Sequence, residues 1–262
     1  MSLLAGKTVV VTGVGAGLGH QVAAAVVRDG GNAVLGARTE DRLRQCAAEV
    51  DPDGTRTAYR ATDITDEGQC AALVALARER FGGVDALVQV AAWDSYFGGV
   101  EDADFATWQQ IVDINLLGTL RMTRACLPGM RERGGGSVVF IGTQSAVAAA
   151  SEVRQTAYSA SKGALTSAMY SLAREVGPDR IRVNTVVPGW MYGPAVRAFV
   201  TFTARSEGVA EEVVLARLTE RMALPELATD GDVADMAAFL ASDRARAITG
   251  QSLLVNAGEL MR

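Results

Sequence analysis

The turn Thr12-Gly13-Val14-Gly15-Ala16-Gly17-Leu18-Gly19 determines the architecture of this chain. It follows the apolar, β-branched run Thr8 to Thr12, which is typical of a buried strand, and a helical pattern over residues 20–27 comes after it. A strand, a glycine turn and a helix in this order leave backbone N–H groups and the positive end of the helix dipole free to bind a pyrophosphate. The glycines fit the spacing T-G-x-x-x-G-x-G rather than G-x-G-x-x-G, because position 18 is leucine. An ordinary tight turn is the alternative interpretation.

Arg38 stands just past the second predicted strand, Asn32 to Ala37. In a dinucleotide-binding sheet this end lies beside the adenosine ribose, where an acidic residue binds the ribose hydroxyls and an arginine suits a 2′-phosphate. Ala37 occupies the aligned position and Arg38 follows it, so NADP is favoured over NAD. The alternative is that Arg38 only begins a solvated helix.

Strands and helices alternate along the rest of the chain. Further strands are predicted at Thr57 to Ala61, Ala86 to Val90, Ser137 to Ile141, Ile181 to Val187 and Ser252 to Val255, with helices at about 67–80, 105–127 and 232–241. This alternation predicts an α/β fold with a doubly wound parallel sheet and right-handed crossovers. Since no repeat, low-complexity tract or linker interrupts the pattern, we expect one domain over residues 1–262.

Composition excludes several classes of protein. A net charge of -5 over 262 residues gives no electrostatic basis for binding nucleic acid or an anionic membrane. No apolar run approaches the ~20 residues that span a bilayer. The three cysteines are widely spaced and form no metal-type pair, and the chain reaches a strand by Lys7, so we expect no metal site and a reduced, cytoplasmic setting. The single histidine, His20, excludes most zinc hydrolase schemes.

Tyr158 and Lys162 lie four residues apart and therefore share one helix face. A phenol with a pKa of about 10 is a poor base at neutral pH. A nearby ammonium favours the phenolate and lowers that pKa, so the tyrosine can exchange a proton with an alcohol or a carbonyl. Alone, the pair is typical of a protein surface; the glycine turn and the hydroxyl residues upstream point to chemistry.

Taken in order, these pieces resemble the short-chain dehydrogenase/reductase family over essentially the whole chain. The matching motifs are Thr12-Gly13-(x)3-Gly17-x-Gly19, Asp63-Ile64, Asn115-Leu116-Leu117-Gly118, Tyr158-(x)3-Lys162, Pro188-Gly189 and Ile248-Thr249-Gly250-Gln251. The resemblance implies a Rossmann-type sheet of about seven strands, helices on both faces, and hydride transfer between a nicotinamide cofactor and a carbonyl or secondary alcohol.

The resemblance also assigns roles to residues. Tyr158 would be the acid/base, and Lys162 would hold the nicotinamide ribose and lower the tyrosine pKa. Asn115 would position a water that links Lys162 to solvent. Asp63 would bind the adenine amine beside the main chain of Ile64, although it could instead cap the next helix. The implied cofactor-binding residues are Gly13, Gly15, Ala16, Gly17, Leu18, Gly19, Arg38, Asp63, Ile64, Ala91, Tyr158, Lys162, Pro188, Gly189 and Met191.

A hydroxyl before the tyrosine would hydrogen-bond the reacting oxygen, and two residues compete for that role. The strand motif Ile-x-Ser selects Thr143, whereas the usual spacing to the tyrosine selects Ser145. Both side chains donate and accept. We favour Ser145, because its distance to the tyrosine constrains the geometry more directly.

The chain departs from the family pattern at two further places. The usual Asn-Asn-Ala-Gly after the fourth strand is Gln89-Val90-Ala91-Ala92 here, so local packing should differ. The usual threonine of Pro-Gly-x-x-x-Thr, which contacts the carboxamide, is replaced by Gly193.

A lid over the substrate is expected at about residues 190–225. Aromatic residues in and near it (Trp190, Tyr192, Phe199, Phe202, Trp93, Tyr96 and Phe97) favour an apolar or cyclic small-molecule substrate, or else they pack the lid or a subunit interface. The alternatives are a carrier-bound 3-oxoacyl reductase and a non-catalytic dinucleotide-binding sensor. From the resemblance we expect a homo-tetramer or dimer.

Overall fold

Strands and helices alternate along the chain, of which the computed structural model describes residues 2–149 and 153–262. The strands are β1 (Thr8–Thr12), β2 (Asn32–Ala37), β3 (Thr57–Ala61), β4 (Ala86–Gln89), β5 (Gly136–Ile141), β6 (Ile181–Pro188), β7 (Met191–Tyr192), β8 (Ala228–Thr229) and β9 (Ser252–Val255). The helices are α1 (Leu18–Arg28), α2 (Glu40–Val50), α3 (Glu67–Phe81), α4 (Phe105–Val112), α5 (Thr119–Glu132), α6 (Thr156–Val176), α7 (Pro194–Glu207), α8 (Glu211–Thr219) and α9 (Asp230–Ala241).

Seven strands form one parallel sheet in the order β3-β2-β1-β4-β5-β6-β9. The strand order reverses between β1 and β4, which pair from Val9 with Ala86 to Thr12 with Gln89. In such sheets ligands bind outside the carboxyl ends of the strands, at this reversal. The doubly wound α/β fold predicted from the sequence is confirmed.

Helices cover both faces of the sheet. Side chains of a strand alternate between the two faces, so neighbouring residues of one strand enter different cores. Val9 and Val11 of β1 pack with α1, α2 and α9, whereas Val10 packs in a second cluster with α3, α5 and α6. Strands buried on both faces need continuous apolar runs, as β1 has.

The long helical stretch predicted over residues 105–127 is divided in the structure. A π-helical turn over Asp113–Gly118 joins α4 to α5 and carries Asn115. Such turns widen a helix locally and often occur at functional positions.

Residues 190–225 carry α7 and α8, which have a small core of their own. This core contains Val200, Ala204, Val214, Leu218 and Leu227. Within the described part of the chain, no helix is both long and apolar enough to cross a bilayer.

Candidate active site

The glycine turn after β1 is closed on one side and open on the other. Gly13 has a φ of +74°, and a Cβ there would lie 2.5 Å from the Cα of Ala91. A Cβ on Gly15 would meet no atom within 4 Å. Helix α1 begins next to it with Gly17 as its N-cap and no side-chain cap, so the first N–H groups of α1 are available to a ligand. The arrangement fits an anionic pyrophosphate at the positive end of α1.

The end of β2 is tied to this turn, since the N–H of Gly13 donates to the Gly36 carbonyl at 2.8 Å. Arg38, two residues further, is exposed and forms no ion pair with any described residue. Its guanidinium is therefore free to bind a phosphate at the ribose end of the site.

Asp63 follows β3 and is half-buried. Its Oδ1 accepts hydrogen bonds from the N–H of Thr65 at 2.9 Å and from the Thr65 hydroxyl at 2.7 Å. The alternative that Asp63 caps the next helix is wrong, because the N-cap of α3 is Asp66. Ile64 is buried and its Cγ1 lies 2.9 Å from where a Gly118 Cβ would be, which holds this strand end against the π turn.

Tyr158 and Lys162 lie on α6, with the Lys162 Nζ 5.9 Å from the centre of the Tyr158 ring. Lys162 is buried, and its Nζ donates to the carbonyl of Ile141, the last residue of β5, at 2.7 Å. An ammonium has three donors, so two remain beyond this bond for a sugar hydroxyl or water. Burial lowers the pKa of Lys162 to about 8, while the negative charge of Asp94 opposes that shift.

The pKa of Tyr158 differs from the expectation. Burial raises it above the ordinary value of a phenol, the charge of Asp94 raises it further, and a hydrogen bond with Thr143 lowers it in part. Burial is the largest influence on the pKa of both groups. The phenol is therefore held as a proton donor, the form that reduces a carbonyl.

The Thr143 hydroxyl acts on the Tyr158 phenol as a hydrogen-bonding neighbour that lowers its pKa. The Ser145 hydroxyl lies 3.0 Å from the Thr143 hydroxyl and accepts from Ser159 at 3.0 Å. The choice between Ser145 and Thr143 as the hydroxyl that binds the reacting oxygen stays a prediction.

Asn115 is fully buried in the π turn, and its side-chain amide makes three hydrogen bonds. Its Oδ1 accepts from the N–H of Trp93 at 2.7 Å, and its Nδ2 donates to the Trp93 carbonyl and to the Ser161 hydroxyl, each at 3.0 Å. Asn115 therefore fixes the loop after β4 against the tyrosine helix. One lone pair of Oδ1 remains beyond these three bonds for a further donor such as water.

The loop after β6 completes the carboxyl edge of the sheet. Gly189 follows Pro188, and a Cβ there would lie 3.0 Å from Asn256 Cβ and 3.0 Å from Gln144 Oε1. Met191 lies in β7, which pairs with β8.

Two polar residues of this edge, Gln89 and Asp94, were not assigned a role from the sequence. Gln89 accepts from the Thr12 hydroxyl and donates to the Thr119 carbonyl, so it braces β1, β4 and α5. Asp94 acts electrostatically on Tyr158 and Lys162. The sequence Gln89-Val90-Ala91-Ala92, which replaces the family's Asn-Asn-Ala-Gly, could have pointed to Gln89. Asp94 lies in a loop without a recognisable pattern, so no sequence signal pointed to it.

The aromatic residues of the 190–225 segment pack mainly with one another. The rings of Trp190 and Phe199 lie 5.1 Å apart, and Tyr192 packs in the same cluster. Phe202 and Phe97 remain exposed. Among the described residues, no group of His, Cys, Asp and Glu side chains is arranged to hold a metal ion.

Known proteins of one family match this chain over nearly its whole length. The family model described as "Enoyl-(Acyl carrier protein) reductase" matches residues 13–259. The human protein "Dehydrogenase/reductase SDR family member 4" is 31% identical over 255 residues, which cover 97% of this chain and 88% of that protein. The chain belongs to the short-chain dehydrogenase/reductase family. As a short-chain dehydrogenase/reductase it is an NAD(P)-dependent oxidoreductase, which confirms the resemblance seen in its motifs.

Solved structures agree with this membership. L-sorbose reductase from Gluconobacter frateurii, complexed with NADPH and L-sorbose, superposes with a TM-score of 0.92 at 29% identity and full coverage, 100%, of both chains. The actinorhodin polyketide ketoreductase with NADPH gives a TM-score of 0.86 at 30% identity over 95% of both chains.

Proposed function

We propose that this chain is an NADP-dependent carbonyl reductase or alcohol dehydrogenase in which Tyr158 exchanges the proton. One observation carries the proposal: the Tyr158 phenol, the Thr143 hydroxyl and the buried Lys162 ammonium meet at the same sheet edge as the uncapped glycine turn. The nicotinamide cofactor supplies the hydride chemistry when bound. The chain's own residues supply the proton and the charge that stabilises the reacting oxygen.

Each residue has a distinct part in this mechanism. Tyr158 donates its proton to the carbonyl oxygen in reduction and takes it back in oxidation. Thr143 donates a hydrogen bond to the same oxygen and stabilises the charge that develops there. Lys162 holds the nicotinamide ribose with its two remaining donors and keeps positive charge near the phenolate. Ser145 orients Thr143, and Asn115 fixes the loop that borders the pocket.

We assign NADP as the preferred nucleotide. Support comes from the unpaired, exposed Arg38 and from two related reductases whose structures contain NADPH. The test compares kcat/KM for NADPH and NADH in wild type, Arg38→Ser and the control Arg80→Ser, which removes an exposed charge on α3. The ratio of kcat/KM for NADPH to kcat/KM for NADH should fall at least tenfold in Arg38→Ser and stay unchanged in Arg80→Ser, because only Arg38→Ser loses a charge-assisted contact with the 2′-phosphate. An unchanged ratio would exclude Arg38 as the selecting residue.

For the substrate we propose a neutral carbonyl compound or secondary alcohol. Asp94 places negative charge close enough to affect the pKa of both Tyr158 and Lys162, so an anionic substrate would be repelled. Phe97 of the loop after β4 and Phe202 of α7 expose apolar surface, which favours cyclic ketones as the first compounds to test. The similarity to L-sorbose reductase adds polyhydroxylated ketones. The kcat/KM for NADPH-dependent reduction should be higher for these neutral ketones than for 2-oxo acids. In Asp94→Asn the difference in kcat/KM between neutral and anionic substrates should be smaller.

A carrier-bound acyl reductase is the second candidate, favoured by the description of the matching family model. An acidic carrier would need a basic surface beside the pocket, yet the loop over residues 94–104 carries the carboxylates of Asp94, Glu101, Asp102 and Asp104. A 3-oxoacyl thioester assayed beside cyclic ketones distinguishes the two candidates. A non-catalytic sensor is not retained, since the family identifies an oxidoreductase.

We further propose that residues 190–225 form the substrate lid of a single 1–262 domain and that the protein is a homo-oligomer, a tetramer or dimer, located in the cytoplasm. Phe105, Leu117 and Tyr170 expose apolar surface on α4, the π turn and α6, which would pair across an interface. Light scattering of wild type and Tyr170→Glu tests the assembly: the variant should be smaller, and a monomeric wild type would contradict it. The three free, buried cysteines are consistent with a reducing compartment.

A further inference from the structure

Asp230 lies where the amino ends of three helices converge. It is the first residue of α9, after the cap Thr229. A Cβ on Gly17, the N-cap of α1, would lie 3.3 Å from the Asp230 Oδ2, and one on Gly193, the N-cap of α7, would lie 2.5 Å from the same oxygen. The carboxyl group therefore fills the space between the glycine turn and the start of the 190–225 segment.

One oxygen of this carboxyl group is buried without a hydrogen-bond partner among the described residues. The side chain belongs to a residue that is only 8% exposed, and among the described residues nothing hydrogen-bonds its Oδ1. An unpaired buried carboxylate is costly, so a group of this kind needs an explanation. Burial accordingly raises its pKa.

The charged groups around Asp230 do not neutralise it. From α7, Arg197 lowers the pKa of Asp230 but lies over the Tyr192 ring, 5.7 Å from its centre, and forms no ion pair with Asp230 within the described residues. From α1, His20 lies 3.6 Å from Glu49. On α9 itself, Asp232 is engaged by the backbone and hydroxyl of Thr229, each at 2.7 Å.

We propose that Asp230 faces the pyrophosphate of the cofactor and takes up a proton from solvent when the cofactor binds. The inference rests on the proposed function, in which the glycine turn at Gly17 receives that pyrophosphate. A carboxylate and a pyrophosphate would compete for the same positive helix end and repel each other. Protonation removes the repulsion and gives the carboxyl an O–H donor for a phosphate oxygen.

The proposal makes nucleotide affinity depend on pH through one residue. As the pH rises, the carboxylate becomes harder to protonate and the affinity for NADPH falls. Asp230→Asn keeps the shape, removes the charge and offers an N–H donor. It should bind NADPH about tenfold more tightly than wild type at pH 8, with a flatter dependence on pH.

Calorimetric titration of NADPH into the full chain tests this directly. Wild type, Asp230→Asn and the control Asp235→Asn, which removes an exposed carboxylate from the same helix, are titrated at pH 7.5 in two buffers of different ionisation enthalpy. Net proton uptake is expected for wild type and the control and should be largely lost in Asp230→Asn. The 2′-phosphate of NADPH titrates near pH 6 in all three, so the difference between variants isolates the carboxyl group.

Unchanged or weaker binding by Asp230→Asn, or equal proton uptake with and without the carboxyl group, overturns the proposal while the oxidoreductase function stands. If that variant does not fold, NADH, which lacks the 2′-phosphate, is titrated into wild type, and absence of net proton uptake at pH 7.5 then overturns the proposal. A wild-type chain that binds neither NADPH nor NADH contradicts the proposed function itself.

Discussion

Gly13→Ala should destabilise the chain because two costs coincide at this position. The residue has a φ of +74°, in the left-handed region, which costs a residue with a Cβ about 1–2 kcal/mol. The added Cβ would also lie 2.5 Å from the Cα of Ala91, so the β4 loop must move, and such overpacking costs about 1–3 kcal/mol. Together these give about 2–5 kcal/mol, or a fall in Tm of about 5–15 °C for a chain of this size.

The matched control is Gly15→Ala in the same turn. A Cβ at Gly15 meets no atom within 4 Å, so the free energy of unfolding should change by less than about 0.5 kcal/mol. Its methyl group instead occupies the open side of the turn, and affinity for NADPH should fall. Thermal unfolding and nucleotide titration of both variants separate the two roles. Equal Tm values for the two variants would refute the reasoning.

Three further predictions concern the buried polar residues. Thr143→Val should lower kcat about 10²–10³-fold by removing a donor to the reacting oxygen, whereas Ser145→Ala should cost less than tenfold; the reverse order in steady-state assays would restore Ser145. Lys162→Met should be more stable than wild type at pH 7, and this gain in stability should shrink between pH 8 and 9.5. The lowered pKa of Lys162, about 8, makes the folded state bind fewer protons than the unfolded state in that range, so wild type becomes more stable as the pH rises. Denaturant titrations of both proteins at pH 7, 8 and 9.5 measure the difference. Asp230→Asn should be more stable than wild type at pH 8, because the buried carboxylate destabilises the folded wild type there. This gain in stability should vanish as the pH falls through the raised pKa of Asp230 towards the ordinary value of 3.8. A gain that does not depend on pH would argue against a buried carboxylate.

The parallel sheet and the positions of its strands could be predicted from the sequence because each signal was local. The β-branched run before the glycine turn, the turn itself and the helical pattern after it each express the fold within a few residues. The bounds of β1, β2, β3 and β9 agree with the structure to the residue. The cap of α9 at Thr229 was also predictable, since its hydroxyl and the Asp232 carboxylate form a reciprocal pair.

Features that depend on contacts between distant segments could not be predicted. The π turn over 113–118 interrupts a pattern that is helical throughout, and the contacts of Asn115 with Trp93 and Ser161 accompany it. The shifted pKa of Tyr158 arises from burial, which no spacing between residues 158 and 162 reveals.

Gly193 illustrates the same limit at the cofactor site. In the sequence it is only a missing threonine. In the structure the carboxyl group of Asp230, 37 positions later, fills the space that its side chain would need. The missing side chain at Gly193 therefore leaves room for the Asp230 carboxyl group, and this relation is visible only in the folded chain.

Single-turnover reduction of a ketone by Tyr158→Phe shows whether the Tyr158 phenol transfers the proton. The substitution removes one oxygen and keeps the ring in its place on α6, so NADPH affinity by titration should stay within about threefold of wild type. Under those conditions hydride transfer, followed by NADPH absorbance, should slow by at least about 10²-fold, the lower end of what a positioned acid contributes. Tyr158→Phe that binds NADPH and reduces the ketone at near the wild-type rate would contradict the account.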